Sequence, residues 1–147
     1  MTASVTILGA ATPATKPAKL PLFERVSCGF PSPAENHSEA PLSLDELVRL
    51  REPSSFLVRA EGDSMIGAGL YAQDVIIVDR AKEARHGDIV IACIGAEFLV
   101  KRLDLQHPGG PRLLPENPRY QPIVLQDGEE LLIWGVCTHN LHSLEGI

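Results

Sequence analysis

The sequence predicts a mostly β domain that follows one short helix and a flexible amino-terminal arm. Short segments rich in Val, Ile and aromatic residues recur after Pro53, and turn signals containing Gly or Asp separate them. No helical hydrophobic period follows the first short helix. We therefore expect a curled or sandwich-like antiparallel sheet.

Composition and charge exclude several classes of protein. The chain has 147 residues, enough for one domain with a hydrophobic core, and a formal net charge of −6. An acidic chain is poorly suited to gripping DNA phosphates, so direct specific DNA binding is not expected. The sequence has no run of about 18 apolar residues and no basic region before its mildly apolar start, which predicts neither a membrane span nor a signal peptide.

The three cysteines, Cys28, Cys93 and Cys137, predict no disulfide framework. Their number is odd and no C-x-x-C spacing is present, so a structural zinc site is not expected either. Free thiols fit a reducing cytoplasm. The pair His139-x-x-His142 matches no standard metal site, and we expect neither a metal nor a cofactor.

The amino-terminal part of the chain reads as arm, linker and helix. Residues 1 to about 20 are rich in Ala, Thr and Pro, which predicts a flexible arm, and the following proline-containing stretch reads as an extended linker up to residue 42. Ser43-Leu44-Asp45-Glu46 has the Ser-x-x-Glu pattern of a capping box. We expect a helix of about two turns there, ending before Pro53.

Six segments of the remaining chain predict strands. They are SFLVRA (55–60), VIIVD (75–79), DIVIACI (88–94), EFLVKRLDL (97–105), PIVL (122–125) and ELLIWGVCTH (130–139).

Ser64 is the first candidate for chemistry. It lies in Gly62-Asp63-Ser64-Met65, directly after the first predicted strand of the domain. A tight turn here could present the hydroxyl with free backbone N–H groups around it. Taken alone, the segment is more typical of an ordinary turn serine that caps backbone groups.

Lys101 is the second candidate. Strand alternation places it on one face with Leu99 and Leu103. The pattern fits a surface lysine whose stem snorkels to water, and it also fits a lysine aimed into the core. In the second case desolvation would lower the pKa of the amine and make it a general base.

Together the two residues suggest nucleophilic catalysis. A serine hydroxyl is a weak nucleophile until a base removes its proton, and a neutral lysine can do this in a Ser–Lys variant of triad chemistry. Backbone N–H groups at the glycine-containing turn could stabilise the oxyanion. From residue types alone, the pairing of Ser64 with Lys101 is a hypothesis.

Several segments in order resemble one known family. They are 23–33, which contains CGFPSP, then GDSMI (62–66), DVIIVD (74–79), HGDIVIA (86–92) and EFLVK (97–101). From about residue 20 onward the chain is similar to the LexA/UmuD-like self-cleaving Ser–Lys peptidases, and to their UmuD members in particular. The resemblance implies a LexA-type carboxy-terminal peptidase domain over residues 43–147.

The resemblance also implies roles for individual residues. Ser64 would be the nucleophile, Lys101 the general base, and the backbone amides of Asp63 and Ser64 the oxyanion donors. The bond cut would be Cys28–Gly29, which makes residues 1–28 a removable arm and 29–42 a linker. Prolines keep CGFPSP out of helices, which suits an extended substrate segment. A catalytic role for the Cys28 thiol is a weaker interpretation, since His37 is near in sequence but no histidine is clearly paired with it.

The partners implied by the resemblance belong to the SOS response to DNA damage. A RecA filament on single-stranded DNA would stimulate self-cleavage of the arm. The shortened form, a homodimer in the cytoplasm, would join a UmuC-like Y-family polymerase in error-prone translesion synthesis, with the sliding clamp as a further partner.

Two alternatives stay open. A LexA-type transcriptional repressor lacking its DNA-binding domain would share the catalytic residues, but the 28 residues before the predicted bond are too few for a helix-turn-helix. A non-catalytic protein-interaction module would never shorten when the purified protein is incubated at alkaline pH.

Overall fold

A computed structural model describes residues 5–10, 19–23 and 38–145, with side-chain positions for 5–9 and 41–145. The strands within these ranges are β1 (Val5–Ala10), β2 (Lys19–Phe23), β3 (Ser38–Ser43), β4 (Ser55–Ala60), β5 (Val75–Asp79), β6 (Ile89–Ile94), β7 (Glu97–Asp104), β8 (Arg112–Leu114), β9 (Ile123–Val124) and β10 (Leu131–Leu141). The helical segments are α1 (Leu44–Leu47) and the 3-10 turn η1 (Ile66–Ala68).

Eight of the described strands form one antiparallel sheet in the order β1-β4-β5-β10-β6-β7-β8-β9, and β2 pairs with β3 in a separate ribbon. Strand β1 lies near β7 although four strands separate the two in this order. The sheet is therefore strongly curled, and the predicted mostly β fold with a curled antiparallel sheet is confirmed.

Strand β10 is the longest element and bends in its middle. Its first half pairs with β6 and its second half with β5, and the register shifts between Ile133 and Gly135. A Cβ atom at Gly135 would lie 2.5 Å from Val78 Cγ1, so a side chain at this position would collide with β5. The glycine therefore permits the close approach through which one strand serves both halves of the curl.

Apolar side chains are buried on both faces of the sheet, since alternate residues of β6 belong to two different clusters. One buried cluster contains Val58, Ala60, Met65, Leu70, Ile76, Val78, Ile91 and Val100. A second contains Val90, Ala92, Leu103, Leu113 and Val136. Burying these side chains contributes most of the favourable free energy of folding.

The predicted helix is shorter than expected, and its predicted capping box does not form. α1 has a single turn, because Arg49 adopts a left-handed φ of 58° and ends it. The Arg49 carbonyl instead accepts a hydrogen bond of 2.7 Å from Ser55 Oγ at the start of β4. Ser43 occupies the N-cap position in extended conformation, but its side chain makes no capping hydrogen bond. The helix is thus shorter and less well capped than its local pattern predicts.

The amino-terminal arm contributes to the sheet. Within the predicted flexible stretch, β1 pairs with β4 from Val5 opposite Ala60 to Ala10 opposite Phe56, and Val5 packs against the first buried cluster. The division into arm, linker and domain at residues 28 and 42 stays a prediction.

Two of the predicted strands are confirmed in full. Strands β4 and β5 match the expected segments 55–60 and 75–79 from end to end, whereas β8 was not expected. Within the described ranges, no helix has the length and apolar character needed to cross a membrane.

Candidate active site

The turn that carries Ser64 follows β4 and is built around a glycine. Gly62 has a left-handed φ of 80°, a conformation that few residues other than glycine adopt. Two residues later Ser64 is fully buried, and the adjacent Met65 anchors the turn in the first buried cluster. The turn is therefore fixed to the core on the side that follows the serine.

Lys101 lies in the middle of β7, and only 1% of it is exposed. Val90 of β6 is its cross-strand neighbour. Of the two interpretations that the alternating pattern left open, the structure has the inward-facing lysine. The curl of the sheet brings β7 close to the end of β4, and Lys101 Nζ donates a hydrogen bond to Ser64 Oγ across 37 residues of sequence.

Burial is what changes the chemistry of the amine. Desolvation lowers the pKa of Lys101 from 10.5 to about 8, since a charged ammonium loses its hydration inside the protein. In the described part of the chain, no carboxylate forms an ion pair with Lys101 to oppose this effect. A useful fraction of the amine is therefore neutral near physiological pH, and it is already in contact with a hydroxyl.

Asp63, the predicted partner in the oxyanion site, is held on two sides. Its carbonyl oxygen accepts a hydrogen bond of 3.0 Å from Asn117 Nδ2, and its carboxylate accepts one from the hydroxyl of Tyr120. The second bond raises the pKa of Tyr120, because ionised tyrosine could not donate it. The use of the Asp63 and Ser64 amides as oxyanion donors stays a prediction.

The predicted cleavage bond, Cys28–Gly29, lies outside the described residues. In the chain it falls in the connection between β2, which ends at Phe23, and β3, which begins at Ser38. Its assignment as the bond cut therefore stays a prediction.

The loop that supports the serine turn was not expected from the sequence. The segment Pro115-Glu116-Asn117-Pro118-Arg119-Tyr120 follows β8 and contacts both Asp63 and Ser64. Glu116 N–H donates a hydrogen bond of 2.8 Å to the Ser64 carbonyl. A polar pair between two prolines is a sign of a rigid, exposed-backbone loop, and this signal could have singled out the segment.

The other polar groups of the described chain suggest no second reactive centre. Burial raises the pKa of the Cys137 thiol to about 12, which leaves it protonated and unreactive. His142 contacts the buried carboxylate of Asp74 at 2.6 Å, and Asn140 donates to the same carboxylate at 2.8 Å. Among the described residues no cluster of His, Cys, Asp and Glu could hold a metal ion.

Comparison with known proteins places this chain in a family. The family described as Peptidase S24-like matches residues 21–138. Protein SamA of Salmonella typhimurium strain LT2 is 46% identical over 126 residues, which cover 84% of this chain and 85% of SamA. Protein MucA of Escherichia coli is 40% identical over 120 residues, 81% of each chain. The LexA repressor of Bordetella petrii is 41% identical over 118 residues, 80% of this chain and 52% of the repressor. The chain belongs to the Peptidase S24-like family, as a UmuD-like member.

Proposed function

We propose that this chain is a self-cleaving serine endopeptidase that acts in the SOS response, with Ser64 as nucleophile and Lys101 as general base. The observation that carries the proposal is the buried contact between Lys101 Nζ and Ser64 Oγ, together with the lowered pKa of the amine. Membership in a peptidase family supports it.

The first half of the reaction forms an acyl-enzyme. The lone pair of Lys101 Nζ takes the hydroxyl proton as Ser64 Oγ attacks the carbonyl carbon of Cys28. The N–H groups of Asp63 and Ser64 stabilise the negative charge that develops on the carbonyl oxygen. Collapse of the tetrahedral intermediate breaks the bond to Gly29, whose nitrogen receives the proton from the Lys101 ammonium.

The second half releases the serine. Neutral Lys101 removes a proton from water, the hydroxide attacks the ester carbon of Cys28, and Ser64 Oγ leaves with the proton returned by the lysine. The products are a Cys28 carboxylate and an amino terminus at Gly29. Because the substrate is tethered to the enzyme, a large effective concentration compensates for a slow dyad.

The UmuD-like relationship supports a proposed biological setting. We propose that a RecA filament on single-stranded DNA stimulates the cut, and that residues 29–147 then act as a homodimeric accessory subunit of a UmuC-like Y-family polymerase in the cytoplasm. The sliding clamp is a further proposed partner. A net charge of −6 favours a role on DNA through these partners over direct binding of the duplex.

The decisive experiment is incubation of the purified full chain from pH 7 to pH 10. We expect wild type to shorten, with mass spectrometry placing the new amino terminus at Gly29, and Ser64→Ala to stay intact. Lys101→Arg should also stay intact, because a guanidinium does not lose its proton in this range.

Matched controls lie on the surface. Ser143→Ala and Lys82→Arg change exposed residues of the same types and should cleave like wild type. If wild type never shortens, even with RecA, ATP and single-stranded DNA present, the chain is a non-catalytic interaction module. If wild type shortens and also binds operator DNA, it acts as a LexA-type repressor.

A further inference from the structure

Asn117 contacts the residue that precedes the proposed nucleophile. It is 7% exposed, its Nδ2 donates to the Asp63 carbonyl oxygen at 3.0 Å, and its Oδ1 accepts from the Arg119 N–H at 3.0 Å. The second bond settles the orientation of the amide, since only the oxygen can accept from a backbone N–H. Asn117 therefore presents a donor, held in one direction, to the carbonyl of Asp63.

That carbonyl shares a peptide group with the amide of the nucleophile. The C=O of Asp63 and the N–H of Ser64 lie in one plane and point in opposite directions, because the peptide bond is planar and the described residues contain no cis peptide. Fixing the oxygen of Asp63 consequently fixes the direction of the Ser64 N–H.

The next peptide group is held by the same loop. Glu116 N–H donates to the Ser64 carbonyl at 2.8 Å, and Gly67 N–H donates to the Glu116 carbonyl at 2.8 Å. A Cβ atom at residue 67 would lie 2.6 Å from that carbonyl oxygen, so the approach requires glycine. Both peptide groups that flank the Ser64 side chain are thus anchored to one loop.

We propose that Asn117 is a positioning residue that aims the Ser64 N–H at the oxyanion. The inference rests on the proposed function and deepens it. A turn entered through a glycine with φ of 80° has a soft backbone, so the peptide between Asp63 and Ser64 needs an external anchor to keep one orientation. The side-chain amide of Asn117 accepts the bond from Arg119 N–H and donates the bond to the Asp63 carbonyl. A carboxylate of the same shape could still accept the first bond, but it could not donate the second.

The test compares Asn117→Asp and Asn117→Ala with wild type in the purified full chain, by the first-order rate of self-cleavage from pH 6 to pH 10. We expect the plateau rate at high pH to fall by about 10- to 100-fold, because loss of an oxyanion donor costs about that much or more. For Asn117→Ala the midpoint of the pH profile should stay that of wild type, since this variant adds no charge near Lys101.

A second measurement separates positioning from general loosening of the fold. A peptide boronate that carries the residues before the bond, with alanine boronic acid in place of Cys28, forms a tetrahedral adduct on a serine and probes the oxyanion site directly. Its inhibition constant should rise by about the same factor as the rate falls. If Asn117→Asp does not fold, Asn117→Ser and Asn117→Ala give the same comparison, with melting temperatures confirming that each is folded.

Thr138→Val is the matched control, because it removes a side-chain bond of 3.2 Å to the Ile77 carbonyl, between β10 and β5. It should lower the melting temperature without lowering the plateau rate. The inference is overturned if Asn117 variants cleave at the wild-type plateau, if the loss in Asn117→Ala comes from a shifted midpoint, or if Thr138→Val loses as much. Failure of the proposed function looks different, because wild type itself would then not cleave.

Discussion

Strand β7 carries two buried ionisable side chains, Lys101 and Asp104, that the fold treats in opposite ways. Asp104 is 6% exposed and accepts hydrogen bonds from Arg112 Nε at 2.6 Å and Gln106 N–H at 3.0 Å, which lower the pKa of its carboxyl. Lys101 is 1% exposed and has a neutral hydroxyl as its partner, so desolvation lowers the pKa of its amine.

The two lowered pKa values have opposite consequences for charge, so one strand carries both a structural ion pair and a candidate base. A lowered pKa keeps a carboxyl charged at neutral pH, but it makes an amine neutral. Asp104 is thereby kept as a charged group in an ion pair, whereas Lys101 becomes a base at a cost in stability. Lys101 and Asp104 lie only three positions apart on the same strand, so the strand itself does not explain the difference. The partner that a neighbouring element supplies decides whether each buried group is charged or neutral.

The largest expected effect comes from removing the amine. Lys101→Met should abolish self-cleavage, and in a Ser64→Ala background it should raise the free energy of unfolding at pH 7 by about 1–3 kcal/mol. The reason is that folding lowers the pKa of Lys101 from 10.5 to about 8, so the charged amine opposes folding below pH 8, and this opposition fades as pH rises towards 10.5. Urea unfolding of the two variants measures the difference.

The control for this substitution is Lys82→Met, which changes an exposed lysine and should leave both cleavage and stability near wild type. A loss of stability in the Lys101 variant would show that the amine is a stabilising group and would contradict the contrast with Asp104.

The pH dependence of cleavage is the next effect in size. The rate constant should rise about tenfold per pH unit below pH 8 and level off above it, because the neutral form of Lys101 is the active one. Gel densitometry of the purified chain over time, from pH 6 to pH 10, gives the profile. A midpoint near pH 6.5 would point to a histidine base and remove Lys101 from its proposed role.

The smallest effect concerns Asp104. Asp104→Asn should lower the melting temperature at pH 7 by a few degrees and leave the cleavage rate at pH 8 unchanged. Because the folded pKa of this carboxyl is below 3.8, its contribution to stability is present above pH 3.8 and is lost as pH falls through the folded value. The difference from the parent should therefore shrink in acid.

Thermal melts from pH 7 to pH 3 in the Ser64→Ala background make this measurement. Asp127→Asn, at an exposed position, serves as the control and should show no such convergence. Equal melting temperatures for the Asp104 variant and its parent at pH 7 would mean that the ion pair does not stabilise the fold.

Local sequence pattern predicted several strands of the domain correctly, but it did not predict the first strand or the length of the helix. Segments 55–60 and 75–79 were predicted to the residue, because apolar runs with β-branched or aromatic residues between turn signals form strands in most contexts. Strand β1 was missed, since its pairing with β4 outweighs the flexible composition around it. The predicted second turn of the helix is absent for a related reason, since Arg49 takes a left-handed φ and its carbonyl accepts a hydrogen bond from the start of β4.

The order of residue types along the chain was enough to determine the class of fold and to single out Ser64 and Lys101, because strand propensity, turn chemistry and family motifs are local properties. Only the tertiary structure decided that the lysine faces inward, since apolar residues flank it on both faces of β7. The contact with Ser64 and the support from Asn117 also depend on the curl of the sheet. The curl brings the end of β4, the middle of β7 and the loop after β8 into contact. These segments are distant in sequence, so no local pattern predicts the contact.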